Sequence, residues 1–327
     1  PAVPRGIAVK YFPIRRGGGD PDAITETRHR SQIEDDDQPL FFGTAYIGDH
    51  RLVPVLTIDP AESLGMMVPF PKGRVVQVEH FFLDRYPVTN AQFAAFVKAG
   101  GYEQASLWDA AILPAVLDFV DRSGRPGPKY WENGTYPPGT EDHPVTGINW
   151  YEARAFARWV GKRLPTDAEW MRAAAWPVTL PDGTRMQRRF PWGDAMDYSR
   201  AVLWGSQRGG TVPVTDCPGG AAVNGIYQLI GNVWEWTHSD YQPWEEEDAR
   251  IVLPGPMKSI RGGAFDTYFD HQASSGFAGG ENPLARKRNI GFRCALGVAD
   301  ITLRYCPEDA SHTPRENPAA ACLENVR

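Results

Sequence analysis

The sequence predicts an α+β fold, a single loop-rich domain of short strands with about three helices. Three observations carry that reading. With 33 Gly and 29 Pro in 327 residues, turns interrupt the chain too often for a helical bundle or a regular parallel sheet. Eleven Trp, 12 Tyr and 15 Phe supply the aromatic packing that such a turn-rich chain needs. Helix signals are few but well formed, and two of them are capping boxes.

In chain order, residues 1–38 read as an extended arm. They carry Gly17-Gly18-Gly19, the acidic run Glu34-Asp35-Asp36-Asp37 and few large apolar side chains. The domain proper spans 39–298. Leu40–Ile47, Leu52–Ile58 and Val75–Leu83 are short, β-branched or aromatic, and bounded by turn residues, so they read as strands. In Asn90–Gly100, Phe93, Phe96 and Val97 share a helical face, Asn90 is placed to cap, and Gly100 falls where a left-handed stop is needed. A second helix is predicted over Asn149–Gly161. Asn149 and Glu152 form its capping box, Phe156, Trp159 and Val160 its buried stripe, and Pro165 prevents its resumption. Thr166-Asp167-Ala168-Glu169 opens a third helix through Trp170 to Ala175. Turns and short strands follow to about Val298, and residues 299–327 form a tail.

A net charge of −6 and a pI of 5.7 argue against nucleic acid as a partner, because phosphate contacts need a clustered basic face. A mean hydropathy of −0.41 fits a soluble chain, and no apolar run approaches the ~18 residues of a membrane span. The four cysteines (Cys217, Cys294, Cys306, Cys322) match no metal spacing. Read as disulfide formers they imply export to a periplasm or the exterior, with Cys306–Cys322 the favoured pair; in a cytosolic protein they would be reduced thiols. Asn133-Gly134-Thr135 is a glycosylation sequon, meaningful in a eukaryotic secretory setting, and Glu245–Asp248 reads as a solvated loop.

The densest motifs lie between residues 80 and 298. They are Phe82–Phe93 (FLDRYPVTNAQF), His143–Glu152 (HPVTGINWYE), Arg163–Trp170 (RLPTDAEW), the turn Pro191-Trp192-Gly193-Asp194, Gly225–Thr237 (GIYQLIGNVWEWT), Arg261-Gly262-Gly263 and Gly291-Phe292-Arg293-Cys294. In this order they resemble the formylglycine-generating enzyme, or sulfatase-modifying-factor, family, whose fold is similar to a C-type lectin. The residues also make sense as scaffold. Trp234 and Trp236 alternate around Glu235, and Arg293 can offer its planar fork to buried carbonyls or to a carboxylate such as Glu235.

The resemblance implies a copper(I) site made by two cysteines just after the RGG strand, which activates O2 and oxidises a substrate cysteine. Those positions fall on Thr267 and Gln272, and Ala264–Ala278 contains no cysteine. A hydroxyl and a carboxamide do not replace thiolates, so copper is not expected. The resemblance also implies a calcium ion on the GNVWEW loop, here at Gln228, Gly231, Val233 and Glu235, with Gln228 standing where the family often has Asn. Two relatives within the fold also bear on function. Iron sulfoxide synthases place such a module after a helical bundle with a three-His iron site, and residues 1–38 read as an arm and not as such a bundle, so that chemistry is not expected here. Variable proteins use the segment after RGG as a ligand surface; here Phe265, Asp266, Tyr268, Phe269, Asp270 and His271 would form it, with Phe277 beside them.

These readings combine into an expectation of a non-catalytic binding or assembly subunit, its terminal arms gripping a protein partner. The competing expectation is an enzyme: a metal- or O2-dependent oxidase with a site rebuilt around Asp266, Asp270 and His271, or a maturation factor acting on a protein substrate.

Overall fold

The computed structural model describes residues 52–55, 66–69, 75–179, 182–242 and 255–298. The two arms, the Leu40–Ile47 strand, the Cys306–Cys322 pair and the Glu245–Asp248 loop lie outside them. Two small sheets organise the chain. Strands β1 (Leu52–Val55) and β11 (Ala295–Gly297) flank β4 (Phe81–Asp84), both antiparallel to it. The second sheet has the order β10-β7-β8-β9: β7 (Trp234–Asp240), β8 (Lys258–Arg261) and β9 (Ala278–Glu281) are antiparallel neighbours, and β10 (Ile290–Gly291) runs parallel to β7. Hairpins pair β2 (Met66–Pro69) with β3 (Val75–Val78), and β5 (Val178–Thr179) with β6 (Arg185–Met186). The predicted Val75–Leu83 strand is therefore two strands, broken at Glu79–His80, and each half joins a different sheet.

The helices are α1 (Asn90–Lys98), α2 (Leu113–Val116), α3 (Trp150–Trp159) and α4 (Asp167–Ala175). The sequence reading misses α2, a single turn entered through Pro114. Asn90 does not cap α1. Thr89 does, in a capping box with Gln92, while the Asn90 amide donates to the Thr140 carbonyl at 2.8 Å. The boxes predicted for α3 (Asn149 with Glu152) and α4 (Thr166 with Glu169) both form. None of these helices is long and apolar enough to cross a membrane.

Among the described residues, two hydrophobic clusters make up the core. In one, α1 meets α3: the Phe93 and Phe156 rings stack at 5.5 Å, and Phe96, Trp159 and Phe292 close around them edge-on. The other gathers Trp170 and the alanines of α4 against the β4 face and the hairpin β2–β3. Strand β7 lies between them. Trp234 and Trp236 belong to the first cluster, while Glu235 points to Trp170 of the second. The alternation read from the sequence therefore separates two apolar faces, and both are buried.

Charge inside this core is paired. Asp84 takes Lys162 Nζ at 2.5 Å and the Cys294 backbone N–H at 3.1 Å. The Cys294 thiol is fully buried, and burial, reinforced by Asp84, pushes its pKa well above the ordinary value. The folded state thus keeps a proton that the unfolded state loses near pH 9, so stability is intact below that pH and falls as pH rises above it. Urea midpoints measured from pH 8 to pH 10 should show this decline, up to about 1.4 kcal/mol per pH unit for one group. Cys294→Ala should flatten the Cys294 share of it; a variant with an unchanged slope would rule that contribution out.

Candidate functional site

Strand β8 ends at Arg261, and Gly262 (φ 95°) and Gly263 (φ 76°) turn the chain out of the sheet. Arg261 is held from both sides, by Asp167 at 2.9 Å and by the carbonyls of Gly276 and Phe277. Residues 264–278 between these fixed ends form the segment to which the sequence points.

Thr267 is buried and takes part in a tight turn. Its hydroxyl accepts the Ala264 N–H at 2.8 Å, its own N–H returns to the Ala264 carbonyl at 2.8 Å, and its carbonyl accepts from Trp204 N–H. The side chain at the position where the resemblance implies a first cysteine is thus spent on backbone. Gln272 lies in the short 3₁₀ turn Asp270–Ala273, partly exposed.

Beyond Thr267 the aromatic side chains turn outward. Tyr268 is 66% exposed, Phe269 55% and Trp204 60%. Successive ring centroids run Trp204–Tyr268 at 6.4 Å, Tyr268–Phe269 at 5.2 Å, Phe269–His271 at 5.6 Å, His271–Phe277 at 5.9 Å and Phe277–Trp234 at 6.0 Å. This is a continuous aromatic rim anchored at Trp234 in the core. Trp204 stands on the surface as the rim's first ring. A Trp after an apolar run carries no signal of which way it faces.

Asp266 and Asp270 do not converge with His271. Asp266 accepts from the Asn289 side chain at 3.0 and 3.1 Å. Asp270 accepts the Tyr198 hydroxyl at 2.7 Å, and that bond holds the phenol pKa above its ordinary value. Tyr198, which the sequence reading overlooks, thereby ties the 3₁₀ turn to the loop of an open cavity of about 540 Å³ lined by Trp192, Asp194, Asp197 and Arg200. Phe265 is half-buried and holds its place through its N–H to the Asn232 carbonyl. No group of three or more His, Cys, Asp and Glu side chains among the described residues is placed to hold a metal ion. The rebuilt metal site expected around Asp266, Asp270 and His271 therefore does not form there.

The GNVWEW loop does not fit the implied calcium ion. Glu235 is fully buried: its Oε2 accepts from Trp170 Nε1 at 2.8 Å and Arg293 Nε at 2.7 Å, its Oε1 from Arg293 Nη2 at 2.6 Å. Arg293 also reaches the carbonyls of Asp84, Arg85 and Tyr227, so the carbonyl and carboxylate roles foreseen for it are both filled. Gln228 donates its amide N–H groups to two carbonyls and accepts from Asn232 Nδ2 at its oxygen, and the Gly231 carbonyl takes the Val233 N–H. The one carboxylate is neutralised and most of the oxygens are engaged.

A turn-rich α+β scaffold whose buried GNVWEW strand is locked to an arginine, and which displays an aromatic rim after the RGG turn, defines a lectin-like domain. Residues 52–298 match the sulfatase-modifying factor enzyme 1-like domain, and the chain belongs to that family. It is similar to hercynine oxygenase of Mycolicibacterium thermoresistibile, at 32% identity over 77% of this chain and 59% of that protein. It is also similar to formylglycine-generating enzyme of Thermomonospora curvata, at 33% identity over 68% of this chain and 84% of that one. The crystal structure of CarF shares the fold, with a TM-score of 0.51 at 20% identity over 76% of this chain and 98% of that one. The chain spans between half and three fifths of the length of the hercynine oxygenases it matches.

These relatives overturn the expectation of a non-catalytic binding or assembly subunit. Proteins related over most of this domain are named as an oxygenase and as formylglycine-generating enzymes, so the relationship points to an enzyme. The expectation equated the loss of two thiols with the loss of catalysis. Soft thiolates suit copper(I), but their loss bears on that one reaction and not on catalysis in general.

Proposed function

We propose that this chain belongs to an O2-dependent oxidising enzyme in which the described domain binds and orients the substrate. The observation that carries the reading is the relationship to hercynine oxygenases across 64–77% of the chain. The described residues do not fit a redox metal, so on this reading any such metal is held by other residues, and copper is not the expected one. This domain would contribute the rim. Exposed Trp204, Tyr268, Phe269 and His271 present ring faces and edges to an aromatic or cationic ligand, and Trp234 behind Phe277 fixes the far end. Thr267 and the Tyr198–Asp270 bond hold the backbone beneath the rings, so that binding does not have to order it.

Oxygen uptake by the purified protein tests this. It would be supplied with iron(II) or copper(I) and offered either hercynine or a cysteine-containing peptide. Uptake with iron(II) and the small substrate is expected. Removing one stacking ring is worth about 1–1.5 kcal/mol, so Tyr268→Ala and Phe269→Ala should each raise KM about tenfold with kcat little changed. Copper-dependent oxidation of the peptide would instead favour a maturation role, and the absence of uptake under all four conditions would count against an oxidase.

A further inference from the structure

We infer that the Gln228 carboxamide closes the loop ahead of GNVWEW in the place of a divalent cation, so that this part of the fold forms without calcium. Gln228 is 5% exposed and sits at φ 51°, a left-handed conformation that costs a non-glycine residue energy. Its side chain accounts for why the conformation persists. Nε2 donates to the carbonyls of Pro213 at 2.9 Å and Asp216 at 3.2 Å. Oε1 accepts from Asn232 Nδ2 at 2.7 Å.

Asn232, fully buried and also left-handed at φ 65°, extends the clamp. Its side chain pairs with Val212 in both directions at 3.0 Å, and its N–H reaches the Val202 carbonyl at 2.8 Å. Two amides therefore stitch the 212–216 stretch to the loop that precedes β7.

A cation draws carbonyl oxygens together because it is positive on every side. Here the polarised N–H groups of one carboxamide meet two such oxygens, and no net charge enters the interior. Glu235, the only carboxylate in the implied ligand set, already has its counter-charge in Arg293. For calcium to bind, Gln228 would have to share its Oε1 between Asn232 and the ion, and Glu235 would have to share its carboxylate with a second cation. Both changes oppose binding, and neither is compensated by a new anionic ligand.

The test compares thermal unfolding of the wild type and Gln228→Leu, each in excess EGTA and in excess calcium chloride. Leucine keeps the bulk and removes both donors and the acceptor, which takes a donor from the Asp216 carbonyl and leaves an N–H of the buried Asn232 amide without its acceptor. A fall in Tm of roughly 5 °C or more is expected, and the gap between wild type and variant should be the same in both media. A specific calcium site at this loop would stabilise the wild type alone and widen the gap in calcium by roughly 5–10 °C. Such widening overturns the inference, as does a variant that melts with the wild type in EGTA. Should the leucine variant not fold, Gln228→Asn carries the same comparison, its amide one carbon too short to span both carbonyls.

Discussion

Arg293→Lys is expected to destabilise this domain by about 3–5 kcal/mol, the cost of breaking a buried ion pair from one side. The guanidinium makes five hydrogen bonds at once: two to Glu235 and one each to the carbonyls of Asp84, Arg85 and Tyr227. It thereby ties the end of β4, the loop before GNVWEW and strand β7 to a single planar group. A lysine brings three donors from a point and cannot reproduce the fork, so Glu235 would stay buried with part of its charge uncompensated. Differential scanning calorimetry should show Tm lowered by about 10 °C or more. Glu235→Gln alone should be comparably damaging, since it strands the guanidinium. The pair Glu235→Gln with Arg293→Met should recover part of the loss, because it removes both charges together. An Arg293→Lys protein melting within about 2 °C of the wild type would show that the fork is not what joins these segments.

That network shows what the sequence made readable. The pairing of Arg293 with Glu235 was legible because a planar donor and a carboxylate near the core have few other ways to be satisfied. Helices α3 and α4 were legible because each capping box is a local device, a polar side chain and an acid three residues apart. The first helix was found but its cap was misplaced: Thr89 and Asn90 are both competent, and only the tertiary bond from Asn90 to Thr140 decides between them. Non-local choices stayed hidden. Nothing in Ile290–Gly291 says that it will run parallel to Trp234–Glu235, and nothing in Val75–Leu83 says that it will divide between two sheets.

The candidate site divides along the same line. Tyr268, Phe269 and His271 could be read because they follow one another, whereas Trp204 and Tyr198 reach the rim from a different loop, and Asp266 and Asp270 are drawn apart by Asn289 and Tyr198. The functional expectation failed for a different reason. Residues 264–278 contain no cysteine, but a missing ligand pair would bear on one reaction and says nothing about others.

Gly262→Ala is the second substitution with a large expected effect, and comparing it with Gly263→Ala isolates the cause. Both glycines have positive φ, 95° and 76°, so both alanines pay the left-handed penalty of about 1–2 kcal/mol. They differ in what a methyl group would meet. At Gly262 it would lie 2.4 Å from the Leu229 carbonyl oxygen and 3.2 Å from the Trp170 ring, and neither yields cheaply. The Gly262 carbonyl also accepts the Gly231 N–H at 2.9 Å, which fixes the spacing between the RGG turn and the GNVWEW loop. At Gly263 the nearest atoms are those of Ala273 at 3.2 and 3.3 Å, on the short turn beneath the rim, where a shift of a few tenths of an ångström suffices. Gly262→Ala should therefore cost about 3–5 kcal/mol, conformational strain and overpacking together, and Gly263→Ala about 1–2 kcal/mol. Urea unfolding of the two variants would show whether this order holds, and equal losses would assign the whole effect to backbone strain. The smaller lesion is the more informative one for function. It shifts buried Ala273 at the edge of the second cluster together with the turn bearing Asp270 and His271, so on the proposed reading substrate affinity in Gly263→Ala should fall further than its stability does.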